Sequence, residues 1–249
     1  MTGINKEFLE FIKNIKGNYG DDYGYSQEWN NEHIKWIKTV LNICPGYIKK
    51  NKSTVNNKKK RHEILGEITA IYWASKNGGK NFIFPELENK SKFPLDFIFD
   101  DLDGKTWNVE VKSPSYEAEL AEDLINGSLT IEQLIERKRK PQYQNGEARS
   151  IGFSTFKNPI KNSLKKFNLS PLSNNLVILC PNMFSSMAFV GKLEQFYSFR
   201  KIVEEVDIKG LISSVCFLEP YLFCGSTSIK FIEEIVNFHG DIPKLNRLD

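Results

Sequence analysis

Pro94-Leu95-Asp96-Phe97-Ile98-Phe99, a short acidic turn, and then Thr106-Trp107-Asn108-Val109-Glu110-Val111-Lys112 decide how this chain is read. Both runs have the apolar and β-branched content of strands, and Trp107, Val109 and Val111 alternate with Asn108, Glu110 and Lys112. Period-2 alternation predicts a strand with one face on a core and the other facing something polar, so Glu110 and Lys112 point the same way. The loop sets what stands opposite them. If Leu102-Asp103-Gly104 is a three-residue hairpin loop with Gly104 left-handed, Asp101 pairs with Lys105, and counting back puts Asp96 across from Glu110. Two carboxylates and an ammonium then share one patch. Adjacent acids repel, and the arrangement makes most sense with a divalent cation between them and the lysine offsetting the remaining charge.

An acid-x-lysine tripeptide carries little information by itself, because Glu88-Asn89-Lys90, Asp103-Gly104-Lys105, Glu136-Arg137-Lys138 and Asp207-Ile208-Lys209 also have it. Only Glu110-Val111-Lys112 lies in an alternating apolar strand with a Pro-x-Asp upstream at hairpin distance. The competing reading is a solvated hairpin with charges on its outer face.

Pro94-Leu95-Asp96 followed by Glu110-Val111-Lys112, with strand residues around both, resembles the PD-(D/E)xK motif of the restriction-endonuclease-like nucleases. Leu95, between the proline and the aspartate, is a departure from the literal pattern. The resemblance implies that Asp96, Glu110 and the carbonyl of Val111 bind Mg²⁺, with Mn²⁺ able to substitute. It implies that Lys112 positions or activates the water attacking a phosphodiester. Many members carry a glutamate near the metal on the helix before the hairpin; Glu67 is the best match and Glu63 the second. A core-edge glutamate paired with a lysine is the other reading of Glu67. The fold implied is α/β, a restriction-endonuclease-like mixed β-sheet flanked by helices. The likeness covers the middle of the chain well and the ends poorly.

The rest of the chain frames this centre. At 249 residues a core closes without staples, and the four cysteines, Cys44, Cys180, Cys216 and Cys224, show no paired spacing. Met1–Gly17 lacks a continuous apolar leader and no run reaches the length of a membrane span, so the expectation is a cytoplasmic protein with no membrane partner. His33, His62 and His239 have no metal-ligand spacing, which argues against zinc. A net charge of +3 decides nothing, but its distribution points to phosphate contacts. Lys58, Lys59, Lys60 and Arg61, then Arg139 among Arg137–Lys140, and Lys161 and Lys165 beside Lys157 and Lys166, are the candidate nucleic-acid-binding residues.

Residues 1–57 read as an N-terminal helical extension, separate from a nuclease-like domain over 58–249, with the polar run Lys49–Lys60 as the boundary. Within the domain, Arg61–Lys76 is a helix stopped by Asn77-Gly78-Gly79, and Asn81–Phe84 is a short strand. Ser113-Pro114 opens a helix, and Thr130-Ile131-Glu132-Gln133 is a capping box opening another. Tyr143–Gly146 reads as a turn, and Gln133, Gln142 and Tyr143 match the family's site-ordering residues too poorly in spacing to be claimed. A basic amphipathic helix over 158–168, a buried strand over 176–180, a helix over 193–206 and a strand over 215–218 complete a mixed sheet; 221–249 gives no clear element.

The expected activity is metal-dependent DNA endonucleolysis of the restriction or defence type, with homodimerisation if both strands are cut. Action on RNA or on single-stranded or structured nucleic acid, and an inactive binding module, are the alternatives.

Overall fold

The hairpin has the register that the sequence predicts. In the computed structural model, which describes residues 27–51, 53, 58–85, 87, 94–113, 130, 132–133, 143–144, 147–148, 151–167, 174–180, 194–221 and 230–246, strand Phe97–Asp100 pairs antiparallel with strand Thr106–Lys112. Phe97 faces Val109 and Asp100 faces Thr106. At the loop, Asp101 N–H donates to the Lys105 carbonyl at 3.0 Å, and Gly104 has φ of 76°, the left-handed value that a side chain resists. Asp101 anchors the tip. Its Oδ1 accepts from the backbone N–H of Asp103 and of Lys105, and its Oδ2 from Trp107 Nε1 and Lys244 N–H, each at 3.0 Å.

In chain order the elements are α1 (Gln27–Ile43), α2 (Tyr47–Asn51), α3 (Lys58–Lys76), β1 (Lys80–Ile83), β2 (Phe97–Asp100), β3 (Thr106–Lys112), β4 (Tyr143–Gln144), β5 (Glu147–Ala148), α4 (Ile151–Phe167), β6 (Asn175–Leu179), α5 (Glu194–Val206), β7 (Ser214–Tyr221) and β8 (Lys230–Asn237). Six strands form one mixed sheet in the order β1-β2-β3-β6-β7-β8. β3 is where the sheet changes character: β2 runs antiparallel to it and β6 parallel. The chain is thus α/β, with a mixed sheet and helices packed on it.

Two cores lie on opposite faces of β3. Trp107, Val109 and Val111 join Phe97, Phe99, Ile178 and Cys216 under α1, α2 and α3. Val177, Leu179 and Val215 join Ile160 and Phe167 of α4 and Val203 of α5. The second core changes the expectation for the polar face of β3, because Asn108 and Glu110 are both 0 % exposed. Asn108 meets this burial by hydrogen bonding, its Nδ2 donating to Asn175 Oδ1 at 2.8 Å while Asn175 Nδ2 donates to the Leu211 carbonyl at 2.8 Å. A solvated outer face is therefore ruled out.

Other expectations shift as well. Trp36, Ile37, Val40, Tyr47 and Ile48, within the expected extension of residues 1–57, share the core of α3 and the sheet. Amphipathic helices need a partner face, and the sheet supplies it. The segment after 221 contains β8, antiparallel to β7, and Trp73 Nε1 of α3 donates to its Glu233 at 2.9 Å. Around the expected turn at Tyr143–Gly146, β4 and β5 pair antiparallel, Tyr143 with Ala148 and Gln144 with Glu147, while residues 145–146 lie outside the described residues. Helix α4 begins at Ile151, with Pro159 inside it. The capping box forms as predicted: Gln133 N–H donates to Thr130 Oγ1 at 3.2 Å and Thr130 N–H to Gln133 Oε1 at 2.8 Å. The helix expected from Ser113-Pro114 and the first helix before residue 27 lie outside the described residues.

Candidate functional site

Asp96 immediately precedes β2, and continuing the observed register sets it opposite Glu110. Its Oδ2 accepts the Val111 N–H at 2.7 Å, which fastens the aspartate to β3. Glu110 lies one residue earlier on β3, with Oε2 accepting from Lys112 Nζ at 2.6 Å. Asp96, Glu110 and Lys112 thus meet as the sequence predicts, with Glu110 buried and Asp96 and Lys112 partly exposed.

A fourth member was not singled out from the sequence. Lys166, near the end of α4, places its Nζ 3.2 Å from Asp96 Oδ1 and 2.7 Å from Glu110 Oε1. The cluster contains two carboxylates and two ammonium groups, and its formal charges balance. In the sequence Lys166 is one of several lysines on a basic helix. The neighbours chosen in its place, Lys161 and Lys165, are exposed on α4.

The electrostatics follow from burial. Glu110 is pushed up to about 7, first by burial and then by the Asp96 charge, while Lys112 and Lys166 pull it down. Burial works against the Lys166 charge, but Asp96 and Glu110 outweigh it and hold the ammonium above its ordinary value. A partly buried charge cluster of this kind is costly unless closely paired, and here the pairing distances are short.

Glu67 stands at the margin. On α3, its Oε2 accepts from the Tyr47 hydroxyl at 3.0 Å and lies 3.9 Å from Lys50 Nζ. This is the core-edge pairing with a lysine, not a third carboxylate on Asp96 and Glu110. Among the described residues no group of three or more His, Cys, Asp or Glu side chains converges. The Tyr47 phenol that bonds Glu67 is pushed well up, by burial first, then by Glu67, with Asp96 adding to the effect. Gly66 explains how α3 comes near β3. A Cβ there would lie 1.8 Å from Ser113 Oγ and 3.2 Å from Ser113 Cβ, so the missing side chain lets the helix pass this close to the end of β3. Glu63, the second choice, pairs with Lys60 at 2.5 Å on the exposed side of α3.

No family model, curated protein or solved structure matches this chain. The residues themselves therefore carry the functional argument.

Of the basic residues, Lys60 is exposed, and Lys58, Lys59 and Arg61 occupy the first turn of α3 with side chains outside the described part. Arg139 lies outside the described residues, as does Gln142. Gln133 is used by the capping box. No described helix is long and apolar enough to cross a membrane.

The donor set fits a hard divalent cation in one respect that can be tested. One oxygen each of Asp96 and Glu110 converges on a single cation, the Lys166 ammonium, which marks a point both carboxylates can reach.

Proposed function

We propose that this chain is a metal-dependent nuclease that hydrolyses DNA phosphodiester bonds, with a restriction-endonuclease-like arrangement of its sheet and helices. The observation that carries the reading is the meeting of Asp96, Glu110 and Lys112 at the end of β3, two of them in direct contact at 2.6 Å. The element order supports it: a helix, three antiparallel strands, then a helix crossing to a parallel strand. Nothing in the packing of a sheet calls for two acids and two lysines in one partly buried patch, and such clusters of perturbed groups are characteristic of functional sites.

Asp96 and Glu110 would hold Mg²⁺ or Mn²⁺, with the Val111 carbonyl as a third oxygen. Bound there, the ion supplies a positive charge for the scissile phosphate and a more acidic water. The chain's own residues do the rest. The Val111 N–H fixes one Asp96 oxygen and leaves the other directed into the patch. Lys112, about one-fifth exposed, has an ammonium that can orient the attacking water and offset the negative charge that grows on the phosphoryl oxygens. The exposed Lys161 and Lys165 on α4 suit backbone contacts, which position a duplex without reading its sequence.

A second reading has its own observation. Lys166 closes the cluster to electrical neutrality, as a binding module that had lost its chemistry could also do. Cleavage of supercoiled plasmid, linear duplex, single-stranded DNA and structured RNA separates these readings. Wild type should cut DNA with Mg²⁺ or Mn²⁺ and not in chelator, whereas Asp96→Ala, Glu110→Ala and Lys112→Ala should lose cutting by about 10³-fold or more while remaining folded. Cutting retained by the Lys112 variant would remove that residue from the mechanism. Metal-loaded, folded protein that cuts nothing would favour the binding module.

A further inference from the structure

The two carboxylates use their oxygens in matching ways. Each gives one oxygen to β3: Asp96 Oδ2 to the Val111 N–H, Glu110 Oε2 to Lys112 Nζ. Each gives the other to the same ammonium, Lys166, at 3.2 Å and 2.7 Å. The oxygens left for a divalent ion are therefore the two that Lys166 engages. A bound Mg²⁺ sits about 2.1 Å from its ligands, and a second cation cannot remain at hydrogen-bond distance from the same pair of oxygens.

We propose that Lys166 is a resident cation that holds the site closed: metal enters only when the ammonium leaves Asp96 and Glu110. This rests on the metal-dependent reading above and adds a control to it. The movement needs little backbone change. Ser163 and Phe167 anchor α4 in the core on either side of the residue, whereas the Lys166 side chain is 25 % exposed. Its flexible four-carbon stem can carry the ammonium outward while the helix stays in place.

Once released, the ammonium needs a new anion, and the phosphate backbone of a nucleic acid supplies one. Metal and nucleic acid therefore bind with positive coupling, each making the site easier for the other to occupy. By linkage the coupling has the same size in both directions.

The test measures metal binding rather than cleavage. Mg²⁺ and Mn²⁺ affinities are measured by titration calorimetry on the full chain without nucleic acid, for wild type, Lys166→Met, Lys166→Gln and Asp96→Ala, each checked for folding by circular dichroism. Wild type should bind weakly, both Lys166 variants about tenfold more tightly or better, and Asp96→Ala not at all. Lys166 variants that bind no more tightly than wild type, when wild-type binding depends on Asp96, would overturn the resident-cation proposal and leave the nuclease reading standing. Folded wild type and Lys166 variants that all fail to bind either ion would overturn both. Using two replacements, one apolar and one polar, keeps the comparison usable if either destabilises the fold.

Discussion

Replacing Glu110 by Gln removes a fully buried charge while preserving the size of its side chain, and the consequence for stability depends on pH. In the unfolded chain the carboxyl group titrates near 4.5, and in the fold near 7. Because the folded value is raised, folding binds a proton at this position. The contribution of Glu110 is therefore most favourable below the unfolded value, declines as pH rises through about 7, and is flat above it. At about 1.4 kcal/mol per pH unit, the full difference is about 3 kcal/mol, most of which falls between about pH 5 and about pH 8. Glutamine does not titrate. The stability of Glu110→Gln relative to wild type should therefore rise by about 2–3 kcal/mol across that interval, whatever its offset at the acid end. Urea unfolding in chelator, followed by circular dichroism at several pH values, measures it. Comparing the two proteins cancels the titration of groups they share. Parallel stability curves would refute the reasoning, because they would mean that Lys112 and Lys166 fully offset burial and the Asp96 charge and leave the Glu110 carboxyl at its ordinary value.

Two further expectations concern the supports of the site. Gly66→Val should destabilise the fold by about 1–3 kcal/mol, since its side chain would run into Ser113, and thermal melting would show this. Asp101→Asn should cost about 2–4 kcal/mol in urea unfolding, because an amide cannot accept at all the positions where this carboxylate takes four N–H groups. Burial pushes the Asp101 carboxyl up, but the hydrogen bonds from Lys244, Trp107, Lys105 and Asp103 outweigh it and hold the group below its ordinary range. Its contribution should be present above the unfolded carboxylate value and lost as pH falls through the lower folded one, a dependence the Asn variant would lack.

The hairpin was legible because its determinants are local. Gly104 fixes the turn, the turn fixes the register, and the register brings Asp96 to Glu110 without reference to any other part of the chain. Lys166 was not legible for the opposite reason. Periodicity turns Ile160 and Phe167 of α4 toward a core, but it does not say which flanking lysine will face the carboxylates, since that depends on how the helix is placed over β3. The alternation in β3 was correctly located and only half interpreted. Asn108, Glu110 and Lys112 do share a face, but a second layer of helices covers most of it, and single-strand alternation cannot distinguish water from a polar network. Within 1–57, read as an extension, the helices of 27–51 share the core of α3 and the sheet, because a linker-like composition at Lys49–Lys60 is compatible with helices that fold back onto the same core.

The anchoring of Asp101 makes the hairpin a ruler fixed at its tip, where Lys244 N–H donates to Asp101, Leu102 N–H donates to the Lys244 carbonyl and the Lys244 ammonium pairs with Asp103, each at 3.0 Å. Asp103 and Leu102 at its tip are largely exposed, while the pairs from Asp100–Thr106 to Phe97–Val109 set the distance to the charged cluster, about five residues or roughly 17 Å away. Length added between Asp101 and Lys105 would take away the Asp103 and Lys105 N–H groups that Asp101 Oδ1 accepts, and with them the point from which the ruler is read. One residue added inside either strand would turn Asp96 and Glu110 to opposite sides of the sheet, because side chains alternate with every step. Insertions in the turn and insertions in either strand would therefore both separate Asp96 from Glu110, the first by loosening the point from which the pairing is counted and the second by reversing the faces.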